Sequence, residues 1–217
     1  MENRLNTRQN SGGQIIAITM LFSVVYVVFR YHIFGGVPWK DFPFFILNKV
    51  VSLSAFILLT FNFTFGPIKN MGVKVPAKWL ESRSVLGMIG FVLVIIHIFM
   101  SLILLSPAVY AKFFEIDGTF TLLAGLSLLG GILAFVALWI YNLSFQTYLR
   151  ENQAFMKFIT SRKFLIWSLT FGAFHLFFMG FKGWINPAGW HGGMPPVSLV
   201  AFTFFVIGYV INLFGRK

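Results

Sequence analysis

Residues 85–106 read VLGMIGFVLVIIHIFMSLILLS, an unbroken run without a charged side chain. At a rise of about 1.5 Å per residue, a helix of this length reaches about 33 Å and crosses the hydrocarbon core of a bilayer. A barrel strand would cross in about ten residues, so the length argues for a helix. Well inside the run sits one imidazole, His97. Imidazole is costly in hydrocarbon and needs a partner there. A second apolar run, residues 164–182, reads FLIWSLTFGAFHLFFMGFK and holds His175 in the same way.

Working outward, four more runs have the same character: 15–34, 43–66, 119–142 and 196–214. Proline and glycine punctuate the gaps, at Gly35-Gly36-Val37-Pro38, Gly66-Pro67, Ser106-Pro107, Asn186-Pro187 and Pro195-Pro196. The composition agrees. The chain has 217 residues, 58% of them hydrophobic and only 11% charged, with 29 phenylalanines. A soluble domain of this size has no interior large enough to hide that much apolar surface. The expected fold is all-α, an integral membrane six-helix bundle. A polar tail at 1–13 precedes a single membrane domain over 14–217. The tail lacks the small-residue cleavage site of a secretory signal, so the first span is expected to be retained.

The net charge of +11 does not point to nucleic acid, because the cations gather at the ends of apolar runs and orient helices. One side collects Arg4, Arg8, Lys69, Lys74, Lys78, Arg83, Arg150, Lys157, Arg162, Lys163, Arg216 and Lys217; the other has Arg30, Lys40, Lys49, Lys112 and Lys182. By the positive-inside rule both termini face the cytoplasm, which suits a multi-pass protein of the plasma (inner) membrane. The absence of cysteine excludes disulfides, thiolate metal sites and iron–sulfur clusters.

In this topology spans three and five both run outward. His97 and His175 each lie roughly 17–18 Å from the inner boundary of their spans. A pair of imidazoles at one depth on two parallel helices can hold one flat cofactor, and a haem with two axial histidines is the obvious candidate. Hydrogen-bonded packing histidines, a proton relay or a metal site stay open. No Asp, Glu or Cys falls inside any span, which leaves a catalytic zinc or a carboxylate relay little support. Small residues one or two turns from each histidine (Gly90 and Ser101; Ser168 and Gly172) leave room for a macrocycle or, equally, let helices approach closely.

The stretch Arg83-Ser84-Val85-Leu86-Gly87-Met88-Ile89-Gly90-Phe91 leading to His97 resembles the third span of the STEAP metalloreductases. That family has an Arg, a Leu-Gly or Phe-Gly pair three residues later, and a His ten residues after the Gly. Phe174-His175 with Gly180 and Phe181 looks like its second haem-ligand segment, and Pro195-Pro196 opens the last span as a Pro-Pro pair does there. The fourth span, with Gly125, Gly130 and Gly131, is similar in texture. The likeness covers about residues 80–214, with two departures. Leu165 stands where the family usually has Gly, and no G-x-G-x-x-G follows a strand, so the dinucleotide-binding domain of animal members has no counterpart. The chain looks like a prokaryotic-type member made of the membrane domain alone.

The resemblance implies that His97 and His175 are the axial ligands of one haem b. Two-haem relatives, such as the membrane subunit of the methionine sulfoxide reductase system, need a second pair at another depth, which this sequence lacks. It further implies FAD as a bridge from the cytoplasm, with a flavin or NAD(P)H reductase as donor, and a homo-oligomer, trimer or dimer. The candidate cofactor-binding set is His97, His175, Arg83, Gly87, Lys163 and Trp167. Arg83, Lys163 and neighbouring cations suit a pyrophosphate, and Trp79 or Trp167 could stack on a ring, although the same cations also serve orientation. On the outer side Arg30, His32, Lys40, Lys112, Lys182 and His191 could form a basic mouth for chelated Fe(III) or Cu(II). Lys49 could snorkel outward or neutralise a haem propionate. The expected function is a transmembrane metalloreductase. The alternatives are an electron-transfer subunit serving quinone or a partner protein, and a non-redox transporter or membrane chaperone.

Overall fold

The computed structural model describes the backbone of residues 2–215 and the side chains of 12–144 and 146–215. Of the cations that set the topology, Arg216 and Lys217 lie outside the described residues, and so do the side chains of Arg4 and Arg8. The helices are α1 (Glu2–Val27), α2 (Leu47–Asn70), α3 (Ala77–Leu104), α4 (Leu122–Asn142), the short α5 (Thr147–Glu151) and α6 (Gln153–Ile159), α7 (Arg162–Trp184) and α8 (Val197–Phe214). A wide π turn at Val28–Ile33 extends α1, and another at Phe42–Ile46 leads into α2. Among the described residues six segments are long and apolar enough to cross a membrane: Gly12–Ile33, Trp39–Asn70, Ala77–Leu104, Leu122–Asn142, Arg162–Trp184 and His191–Phe214. They match the six expected runs, and the chain is an all-α, multi-pass helical bundle.

The helix starts follow from local chemistry. The side chains of Thr121, Asn152 and Ser161 accept hydrogen bonds from the backbone N–H groups of Ala124, Phe155 and Phe164, at 3.2, 3.0 and 3.2 Å. Each satisfies a donor that the first turn leaves unpaired. Pro76 and Pro196 immediately precede α3 and α8, where a fixed φ helps the chain turn into the helix. The connections 34–42, 105–121 and 185–196 share one face of the bundle, called here the loop face. The other, the terminal face, holds the turn at 71–76 and the segment 143–161. Tyr26 Oη donates to Pro195 O at 2.7 Å across the loop face, and an Arg162 Nη donates to Leu213 O at 2.6 Å across the terminal face.

The second span is the axis of the bundle, with 61% of its apolar window buried against 22–33% for the others. It packs on α1, α3 and α8, while α7 packs on α4 and α8. Ile46, Leu53, Leu58 and Leu59 are among its fully buried side chains. The large apolar side chains left outside, such as Leu21, Phe99, Leu102 and Ile132, suit contact with lipid. Helices α3 and α4 touch only sparsely, with the Phe91 and Phe135 rings stacked 5.9 Å apart between them, and α3 makes no substantial contact with α7. One wall, α3, therefore stands slightly apart from the α4–α7 pair. The glycines near the histidines serve helix approach. Gly90 lies against Leu59 of α2 and Gly172 against Phe205 of α8, so neither opens space for a macrocycle.

Candidate functional site

His97 is oriented by the way α3 meets α2. A Cβ on Gly87 would come 2.9 Å from the Asn62 amide, and one on Gly90 would come 2.9 Å from Leu59. These two glycines bring α3 close to α2, and about two to four turns further along α3 aims His97 and Ser101 at Asn48. Asn48 is 3% exposed. Its Nδ2 donates to Ser101 Oγ at 3.0 Å, which turns its Oδ1 toward His97 Nδ1 at 2.6 Å; Ser101 Oγ lies 3.3 Å from the same nitrogen. A carbonyl oxygen only accepts, so the network assigns the proton to His97 Nδ1.

His175 is held by a parallel device on the other wall. Gly130 and Gly131 of α4 let the α7 backbone approach until a Cβ on Gly130 would stand 2.9 Å from His175 N, and one on Gly131 2.9 Å from His175 Nδ1. His175 Nδ1 then donates to the backbone carbonyl of Ser127 at 2.8 Å. Ser127 Oγ lies 3.3 Å from that nitrogen and donates to His175 O at 3.1 Å. Here too the proton sits on Nδ1. In both rings no hydrogen bond engages Nε2 among the described residues, so each presents its lone pair there. Metal-bound histidines show this same division of labour, one nitrogen donating to the protein and the other free to ligate.

The rings lie at nearly one level. Phe91, stacked on Phe135, is six residues from His97; Phe135 is four residues from Gly131, which abuts His175. At about 1.5 Å per residue the levels differ by about 3 Å. The two imidazoles are within electrostatic reach of each other, and Lys49 is within reach of His97. Among the described residues no three His, Cys, Asp or Glu side chains gather, so a bare metal ion lacks its usual donors. A group bringing its own equatorial ligands needs only the pair.

The other expected site residues are dispersed. Arg83 Nε donates to Asn62 O at 2.9 Å, and its guanidinium lies over Gly66, lining a small cleft with Pro67, Lys69, Asn70 and Leu80. Gly87 faces α2. Lys163 is exposed on α7, and Trp167, 60% exposed, lies tilted against Phe171 of its own helix with the ring centroids 5.8 Å apart. The cleft at Arg83 contains neither Lys163 nor Trp167.

On the loop face Arg30 departs from expectation. It is 4% exposed and donates to Met194 O, so it ties span one to the segment before α8 and does not line an open mouth. Its chain position, just before a loop, could not reveal that the π turn points it inward. His32 Nδ1 donates to Val37 O at 2.7 Å, and its ring lies 4.0 Å from that of Trp39. Lys40, Lys182 and His191 are exposed. Lys112 is exposed along its stem while Nζ turns back to donate to Met179 O at 3.2 Å.

Two partners of the site were not singled out from the sequence, Asn48 and Ser127. An asparagine inside an apolar run is a signal that could have found the first. Ser127 is hidden among several membrane serines. No protein-family model matches the chain, and no curated protein does.

Proposed function

We propose that this chain is a transmembrane b-type haem oxidoreductase, similar to the STEAP metalloreductase membrane domain. It would move electrons from a cytoplasmic reduced-flavin donor to an extracytoplasmic acceptor of the chelated Fe(III) or Cu(II) class. The terminal face would lie in the cytoplasm and the loop face outside the plasma membrane. The observation that carries this reading is the matched pair of imidazoles, each donating through Nδ1 to a protein oxygen and keeping Nε2 free, on two walls that barely touch. That donor set suits an iron porphyrin, which His97 and His175 would hold through Nε2. Such a group would supply one-electron exchange there.

The chain's own residues then have defined work. Asn48 and the Ser127 carbonyl fix the tautomer and aim of each ring and raise the basicity of Nε2. Ser101 Oγ accepts from Asn48 Nδ2 and Ser127 Oγ donates to His175 O, so the two hydroxyls steady the groups that hold the rings. Phe91 and Phe135 close the space on the terminal side and exclude water from it. The Arg83–Lys69 cleft supplies cations at the terminal face where an anionic donor such as FAD would dock.

The test is the visible spectrum of protein purified after haem-replete expression. The expected result is a b-type, bis-histidine spectrum that is lost in His97→Ala and in His175→Ala while the variants still fold. A colourless, stable wild type would remove the redox reading and leave two packing histidines. Reoxidation of the reduced pigment by ferric citrate is the expected further result. Reduction by quinol with no reoxidation by iron would replace the metalloreductase with an electron-transfer subunit.

A further inference from the structure

Two ammonium groups stand beside the histidine pair on its loop-face side. Lys49 follows Asn48, the residue that holds His97. Its Nζ sits over the rings of Phe45, Tyr31 and Tyr110, at 4.3, 4.9 and 5.7 Å from their centroids. Lys112 reaches back from the 105–121 connection to Met179 O, one helical turn beyond His175, and lies 5.0 Å over Phe113. Tyr110 and Phe113 stack on each other at 5.4 Å, so the two ammoniums flank one aromatic pair. Each lysine is thereby indexed to one of the two histidines.

Neither ammonium has a carboxylate partner among the described residues; rings and one backbone carbonyl are all that face them. Asp117, one of two acidic residues in that connection with Glu115, accepts from the Thr119 N–H and hydroxyl. Burial of its ammonium end away from water holds the Lys112 pKa below the usual lysine value, and the Lys49 charge lowers it further. Two like charges so placed, with no anion between them, are unfavourable unless something negative joins them. Cation–π contacts offset only part of that cost.

We propose that Lys49 and Lys112 are a two-cation clamp for carboxylates, and that these are the two propionates of the tetrapyrrole held by His97 and His175. This rests on the haem reading above. It also gives Lys112 a fixed place at the cofactor and removes it from the mouth for passing chelates. The same chemistry could recognise the carboxylates of a free chelator such as citrate, which the experiment separates.

The chain, purified without haem, is loaded in detergent with haem or with haem dimethyl ester, whose propionates carry no charge. Transfer of each pigment to a haem scavenger is then timed by the Soret band. The expected result is that wild type loses the diester about tenfold faster than haem, the value of a charge-assisted hydrogen bond. In Lys49→Gln/Lys112→Gln, haem leaves at the diester rate and the diester rate is unchanged. Excess citrate leaves the wild-type rates alone. Equal loss of both pigments from wild type, or equal acceleration of both in the double variant, overturns the clamp and spares the histidine reading. Acceleration of haem loss by citrate assigns the lysines to the free chelator and also overturns it. If neither pigment gives a bis-histidine spectrum, the histidine reading fails and the clamp falls with it.

Discussion

Gly131→Ala probes the contact that positions His175. The added Cβ would lie 2.9 Å from Nδ1 and 3.3 Å from Cε1 of the ring. Relieving the first contact to about 3.4 Å requires a retreat of about 0.5 Å, which stretches the 2.8 Å bond to Ser127 O to about 3.3 Å, past the usual range. The loss of that bond costs about 1 kcal/mol, and the overpacking about 1–3 kcal/mol more. Better helix propensity returns at most about 1 kcal/mol, so the net destabilisation is about 1–3 kcal/mol. Gly125→Ala on the same helix is the matched control, because a Cβ there meets nothing within 4 Å. Its propensity gain is unopposed. The assay is the folded fraction in mixed micelles as denaturing detergent is increased. Gly131→Ala should unfold well before wild type, and Gly125→Ala at the same point or later. If the two variants behave alike, the close approach of α4 to the His175 ring is not what holds these helices together.

Asn48→Leu removes both an acceptor for His97 and a donor to Ser101, at a cost of about 1–3 kcal/mol. In a double-mutant cycle with Ser101→Ala the effects should fall short of additive by at least about 0.5 kcal/mol, and strict additivity would break the three-residue network. Tyr26→Phe deletes the bond to Pro195 O and should cost about 0.5–1.5 kcal/mol, measured in the same micelle titration; a neutral result would mean that water donates to the Pro195 carbonyl in place of the lost hydroxyl. Gly180→Ala would place a Cβ against Ser198 Oγ and Trp184 Nε1, which bond each other at 3.0 Å, so the tryptophan fluorescence should shift along with a loss of about 1–3 kcal/mol of stability. An unchanged emission spectrum would show that α7 and α8 yield without disturbing that pair.

How much was legible depended on whether the signal lies along the chain or around the helix axis. The six crossings and the depth of His97 and His175 follow from hydropathy and residue count, which are one-dimensional quantities. The glycines were visible too, but not their direction. Gly90 and Gly172 near the histidines turned out to seat Leu59 and Phe205, while Gly130 and Gly131, noted only for texture, are the ones that abut His175. Arg30 was legible as a cation near a span end and illegible as a buried tether to Met194.

The sequence by itself determined a six-span membrane bundle with two imidazoles at one level, because the cost of placing polar groups in hydrocarbon is set residue by residue. Only the tertiary structure decided what those imidazoles do with their protons. Asn48 lies 49 positions from His97, and Ser127 lies 48 from His175. Which helices become neighbours, and how each is rotated, is fixed by the packing of small residues against large ones across the bundle. That packing selects the Nδ1 acceptors and gathers Lys49 and Lys112 around one aromatic pair, and neither arrangement leaves a mark on local hydropathy.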